Sequence, residues 1–307
     1  MKKHTSHIRY YLYLMIAIVA WASLPVVGKA TLSMAGPVTI SIFRGIFAFL
    51  FILPFALKAG FRPGMLLTKK ALFYGSVAFL CNTVVMQAGL SWCSANVASI
   101  LQATMPVCML IGGVLCLGEV MTAWKAVGAV LATAGIVITC IGGTLIDENT
   151  TIVGILMAAS TSVTWTIYSV HIKKYDENLP AAIIAAMTFG VGVVLTAPFC
   201  IGEILLVTGI PAFTPEMVLS LLYLGVVILG VANMAWSAGV ARVDAAVSGL
   251  LFNLSPVLGM LLALLAGEVM SGLQFFGCAV VIVGIFLGFR DQRREERLHE
   301  AETTQGG

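Results

Sequence analysis

Charge is what this sequence has least of. Asp, Glu, Lys and Arg make up 10% of its 307 residues, while 60% are hydrophobic. Soluble domains carry about 25% charged residues. A water-soluble chain of this length has no means of hiding so much apolar surface. The composition excludes a soluble enzyme or a nucleic-acid-binding module and implies an integral membrane protein with many spans. Histidine is also scarce. His4, His7, His171 and His299 lie near the chain ends or the end of an apolar run. No HExxH, no GxSxG and no carboxylate pair falls inside an apolar run, so a membrane enzyme would lack its nucleophile and base, paired acids or metal ligands. The seven cysteines form no CxxC and no Cys/His cluster. They read as small packing residues rather than a metal or disulfide framework. No metal and no cofactor is expected.

What is present is a succession of long apolar runs. A helix needs about 20 mostly apolar residues to cross the hydrocarbon core. Ten runs qualify: 10–30, 37–57, 71–91, 94–117, 122–142, 151–172, 179–200, 216–239, 244–266 and 271–289. They are continuously apolar rather than alternating, which excludes a β-barrel. Met1-Lys2-Lys3 before the first run mimics a signal peptide, but no small-x-small cleavage site follows, so this run reads as an uncleaved span. Basic residues test the count. Lys2, Lys3, Arg9, Lys58, Arg62, Lys69, Lys70, Lys125, Lys173, Lys174, Arg242 and the arginines from Arg290 to Arg297 all fall on one side, which must be cytoplasmic. Both termini then lie inside the cell. The charged tail after residue 290 reads as solvated.

The chain repeats itself at half its length. Ser94 to Thr122 carries Pro106 and ends in Gly118-Glu119-Val120-Met121-Thr122; Asp244 to Ser271 carries Pro256 and ends in Gly267-Glu268-Val269-Met270-Ser271. Gly75 and Gly89 answer Gly225 and Gly239. Gly128 and Gly135 answer Gly277 and Gly284. Pro54 answers Pro198, and Trp21 and Lys29 answer Trp165 and Lys173. Repeats of this kind set the architecture. Five spans per copy force the second copy to enter the membrane upside down, the arrangement of many secondary transporters. The expected fold is therefore an all-α polytopic membrane protein, ten helices in two inverted five-helix repeats: 1–147, 148–290 and a tail at 291–307. With its doubled proline and Gly-Glu pattern, the chain resembles the EamA-type exporters of the drug/metabolite transporter superfamily over about residues 10–290. That resemblance implies a bacterial inner-membrane carrier of amino acids or other small metabolites. It also implies a central cavity lined mainly by spans 1, 3, 4, 6, 8 and 9.

Several residues are candidates for that cavity. Pro106 and Pro256 lack an N–H and leave the Gln102 and Phe252 carbonyls without helical partners. Such carbonyls are tolerated in lipid only where protein or a watery cavity satisfies them. Asn82, Gln102, Asn233 and Asn253 are intramembrane amides, able to line a pathway or bond between helices. Met86 sits one turn from Asn82. Trp21, Trp165, Tyr168 and Trp236 are placed to wall a mostly apolar pocket, although aromatics also serve as packing and interface anchors. Arg44 is the only cation well inside a run; a gating or structural role competes with binding a substrate carboxylate. Glu119 and Glu268 occupy helix C-termini, where negative charge is disfavoured. They read as corner residues that accept from the helix following Thr122 or Ser271. The small residues of spans 5 and 10 suit close packing within a monomer or across a homodimer. A cavity with few charges suits a zwitterion better than a sugar phosphate. The expected partners are thus a small-molecule substrate and membrane lipids. A lipid-linked-sugar flippase and a multidrug exporter are the alternatives.

Overall fold

The computed structural model describes residues 4–92, 101–102, 104–141, 151–265 and 271–290. All of its regular structure is helical. The helices are α1 (His4–Ala22), α2 (Leu24–Leu32), α3 (Pro37–Lys58), α4 (Lys69–Leu90), α5 (Met105–Leu117), α6 (Ala123–Ile141), α7 (Ile152–Tyr175), α8 (Ala181–Thr208), α9 (Pro215–Val240), α10 (Ala245–Phe252), α11 (Leu254–Leu265) and α12 (Gly272–Arg290). Six of them, α3, α4, α6, α7, α8 and α9, are long and apolar enough to cross a membrane. Shorter apolar stretches run over Ile8–Ala22, Met105–Leu117, Ala245–Gly259 and Gly272–Gly288. Helix α8 runs eight residues beyond the apolar stretch expected to end at residue 200. The outside of the bundle shows leucine, valine and phenylalanine, among them Leu50, Val130, Val194 and Phe286. In lipid no hydrophobic force drives such side chains inward.

Start and stop signals are local and conventional. Thr68, Thr151 and Thr214 each cap a following helix through the hydroxyl, accepting from Ala71, Gly154 and Met217. Thr122 accepts from the Lys125 N–H as expected, and Ser271 and Gln274 form a reciprocal capping pair. Gly118, at φ 68°, closes α5 in the left-handed conformation that a Cβ would strain.

Glycines set the distances between helices. A Cβ on Gly128 would meet the Gly284 carbonyl oxygen at 2.7 Å, and one on Gly135 would meet the Val281 nitrogen at 2.6 Å, so α6 and α12 touch backbone to backbone. Gly75 of α4 lies against Gly192 and Val191 of α8; its counterpart Gly225 of α9 lies against Arg44 and Phe47 of α3. Gly89 of α4 lies against Met157 and Ala158 of α7, and Gly239 of α9 against Tyr10 and Leu14 of α1. The exchange is reciprocal: α4 packs on α7 and α8, while α9 packs on α1 and α3.

Three helices are interrupted, each beside a proline. The breaks fall at Ser23, between α1 and α2; at Thr104, before α5; and at Asn253, between α10 and α11. Pro25 and Pro106 sit in the first turn of the helix that resumes, where a missing N–H costs nothing. At each break the backbone tightens to a three-residue bond: Ser23 to Ala20, Thr104 to Leu101, Asn253 to Leu250. At the second break the carbonyl that gathers side-chain donors is Leu101's, one residue before the expected Gln102. It accepts from the Thr104 hydroxyl at 2.6 Å and from Ser162 of α7 at 3.0 Å. The Leu101 carbonyl thus takes three donors where the helix is interrupted.

Candidate functional site: an aromatic cage between broken helices

Trp21 stands one turn before the break that ends α1 and touches three rings. Its centroid lies 5.4 Å from Trp165, 5.4 Å from Trp236 and 5.6 Å from Phe252. Trp165 lies 5.8 Å from Trp236 and 5.2 Å from Tyr168, and Trp236 lies 5.9 Å from Phe252. Five rings from α1, α7, α9 and α10 thus form one cage, in the edge and tilted arrangements that the ring quadrupole favours. Phe252 ends α10 and leads into the break at Asn253, so two of the interrupted helices deliver rings to the same place. The rings expected to wall a pocket stand together, and they lean on one another.

Polar bonds orient most of these rings. The Trp21 indole donates to the Ile228 carbonyl at 3.0 Å, and the Trp236 indole to Ser169 Oγ at 3.0 Å. The Tyr168 hydroxyl pairs with Ser237 Oγ at 2.9 Å. Trp165 is the exception: its indole N–H is buried and has no partner. The Asn253 side-chain amide nitrogen, beside Phe252 in the chain, is likewise buried and unpaired. Buried donors without acceptors are rare, and each costs about 1–3 kcal/mol. A ligand offering acceptor atoms would relieve both.

The remaining candidates divide. Asn82 donates to the Thr161 carbonyl at 2.9 Å and to Thr164 Oγ1 at 3.2 Å. Gln102 donates to Met86 Sδ at 3.4 Å, and Thr161 also faces that sulfur, at 3.8 Å. These three tie α4 and the segment before α5 to α7, a tether beside the cage. Asn233 is buried in α9 next to the rings' own helix, Pro106 is buried, and Pro256 is half-buried in α11. Arg44 is 4% exposed, and its Nε and Nη1 have no partner. It does not snorkel out. Glu268 lies outside the described residues.

Glu119 corrects one expectation. It accepts the backbone N–H of Ala245 at 2.9 and 3.1 Å, and Lys173 Nζ at 2.7 Å. It therefore caps α10, far along the chain, rather than α6, which follows it; Thr122 already occupies the cap of α6. Gly118 turns the chain so that the carboxylate swings across to α10. Lys173 also donates to the Val243 carbonyl at 2.8 Å and lies 3.6 Å from Asp244, which Lys125 meets at 3.2 Å. Lys125 is buried, not solvated as a loop lysine would be. A second knot lies at the same end. Asp176, buried after α7, binds Lys70 and the Tyr74 hydroxyl (2.5 Å) of α4, with His171 Nε2 at 3.7 Å. Sequence reading passed over Asp176. Its position directly after Lys173-Lys174-Tyr175 was the available signal.

At the opposite end an open groove of about 560 Å³ is lined by Leu32 to Pro37, Leu90, Ser91 and Thr208. At its edge Glu203 caps α3, accepting from Val38, Thr39 and the Thr39 hydroxyl. No group of His, Cys, Asp and Glu suited to a metal occurs among the described residues.

Membrane-crossing helices, broken helices meeting at an aromatic cage, and ion pairs gathered at one end define a polytopic membrane protein. The comparisons with known proteins make this specific: residues 8–141 and 152–290 each match the EamA-like transporter family, and the chain belongs to it. An uncharacterized transporter of Clostridium kluyveri is 22% identical over 96% of this chain and 97% of its own length. A probable amino-acid metabolite efflux pump of Salmonella typhimurium is 25% identical over 72% of this chain and 75% of its own. An aromatic amino acid exporter, YddG, of Ancylobacter novellus is 30% identical over 43% of this chain and 44% of its own. One solved crystal structure superposes with a TM-score of 0.79 at 22% identity, covering 94% of this chain and 98% of the other, and shares the fold. The family and these relatives are transporters rather than enzymes, and the chain is a multi-pass bacterial membrane protein.

Proposed function

We propose that this protein is a secondary exporter of amino acids or closely related small metabolites across the bacterial inner membrane, working by alternating access. The observation that carries the proposal is the cage of Trp21, Trp165, Tyr168, Trp236 and Phe252, with two unpaired buried donors at its side. Rings supply apolar contact and the free N–H groups seek acceptors, a pairing that suits an amino acid and leaves a sugar phosphate without its cations. The names of the Salmonella and Ancylobacter relatives support the same class.

The transport cycle follows from the two ends. Ten spans in two inverted repeats of 1–147 and 148–290, with the 291–307 tail and both termini cytoplasmic, put the lysine-rich end inside the cell. Six long and four shorter apolar helices and the reciprocal glycine contacts support that reading. On that reading the inner end is the one tied by Glu119, Lys173, Asp244 and Lys125 and by Asp176, Lys70 and Tyr74, and the 560 Å³ groove belongs to the outer end, which suits an outward-facing state. Loading from the cytoplasm requires breaking the ionic knots; Arg44, Glu119 and Glu268 then act on gating or structure around the cage. Gln102, Pro106, Asn233, Asn253, Pro256, Asn82 and Met86 complete the pathway.

Purified protein in liposomes, loaded with radiolabelled leucine, phenylalanine and other amino acids, tests the reading. Counterflow of at least one of them is expected, abolished by Trp236→Ala. Folded protein that moves none of them sinks the proposal.

A further inference from the structure

Arg44 is the most anomalous group in the molecule. A guanidinium stays protonated in proteins. An unpaired buried charge is among the costliest features a fold can carry. Yet Arg44 is 4% exposed, Nε and Nη1 lack partners, and no carboxylate among the described residues pairs with it. Glu203 caps α3, and Glu119 and Asp176 are held by partners at the far end. Removing a like residue would improve the fold, so its presence needs a counter-ion that comes and goes.

Its place in the bundle says which one. The Arg44 carbonyl packs against Gly225 of α9, where a Cβ would come within 2.6 Å. Ile228, three residues on in the same helix, holds the Trp21 indole. Three residues are roughly 5 Å along a helix. The α3 backbone at Arg44 and the cage thus lean on the same turn of α9, and Arg44 lies about two turns along α3 from Pro37 at the groove's edge.

Resting on the export reading above, we infer that Arg44 is the anchor for the carboxylate of the transported molecule, while the rings hold its apolar part. The substrate class narrows to carboxylate-bearing amphiphiles. A planar guanidinium binds a carboxylate by two parallel bonds, and charge-assisted bonds of this kind correspond to about ten- to hundredfold in affinity. Trp165 and Asn253 are further donors for the same oxygens or the rest of the head group.

The test uses matched probes on the purified full-length protein: L-phenylalanine, 3-phenylpropionate (no ammonium), phenylalaninamide and phenethylamine (no carboxylate), and the leucine equivalents. Thermal stabilisation gives binding, and counterflow in liposomes gives transport. The wild type is expected to favour both carboxylates over the amide and the amine. Arg44→Gln should weaken carboxylate binding at least tenfold, leave the amine unchanged and keep or raise the unliganded melting temperature. Arg44→Lys should recover part of the preference. Equal binding of carboxylates and amides by the wild type overturns the anchor, as does an Arg44→Gln protein that keeps the full preference. Wild-type protein that prefers carboxylates but moves no amino acid refutes the export reading and leaves the anchor standing.

Discussion

Glu119→Gln isolates the closure at the lysine-rich end. The carboxylate takes the Lys173 ammonium at 2.7 Å and the first N–H of α10 at 2.9 and 3.1 Å. Glutamine keeps an acceptor for Ala245 and nearly the same shape; it removes the charge. A charge-assisted bond contributes about 1.5–3 kcal/mol. A negative charge at a helix start adds about 0.3–1 kcal/mol at the surface and up to about 2 when partly buried. The Glu119 and Lys173 side chains are 11% and 19% exposed, so solvent weakens both terms, and Asp244 remains near Lys173. A loss of about 2 kcal/mol is expected, which is roughly a 30-fold shift at about 1.4 kcal/mol per decade. Hydrogen exchange reads it directly. Amides of the first turns of α10 should lose about 30-fold in protection, while α6 and α12 stay protected. The pair is also a double-mutant cycle: Lys173→Met combined with Glu119→Gln should cost less than the sum of the two. Unchanged protection in α10, or strict additivity, would mean that Glu119 does not hold this end shut.

Trp236→Ala empties a site that is 0% exposed and strips three ring contacts, so it should cost about 3–5 kcal/mol in stability and abolish transport; Trp236→Phe should keep most of the fold and lose the bond to Ser169. Gly135→Val puts a side chain where the α12 backbone already stands, and should lower the melting temperature by the equivalent of about 1–3 kcal/mol or more. Asp176→Asn weakens the hold on Lys70 and Tyr74 and should raise exchange at the start of α4, with Tyr74→Phe producing a smaller version of the same change.

Periodic and local features could be read before any coordinates. The helices followed from continuous apolar runs, two of the breaks from Pro106 and Pro256, the α6–α12 seam from glycines seven apart, and the meeting of Trp21 with Trp165 from their matched places in the two copies. What escaped was partner choice across long stretches of chain. Glu119 was expected to cap the helix next to it, because sequence shows only neighbours; its partner Ala245 stands 126 residues away. Lys125 looked like a loop cation and proved buried, because its counter-charge Asp244 belongs to the other copy. The basic run before Asp176 marks it as a candidate for an ion pair, but only the fold shows that its partners are Lys70 and Tyr74. Arg44 was noticed for its charge, and only its missing partners show that this charge is uncompensated.

The seam between α6 and α12 has a consequence for how the protein is made. One glycine face belongs to residues 123–141 and the other to residues 272–290, so the ribosome completes the first about 150 residues before the second. At ~5–20 residues per second, the bare stripe waits roughly 7–30 seconds for its mate. During that interval it presents to the bilayer a smooth, side-chain-free strip that a small-residue face on any passing helix would fit. The first copy therefore depends on the insertion machinery to keep its edge unoccupied, and a chain truncated before residue 272 is expected to associate with itself through that edge.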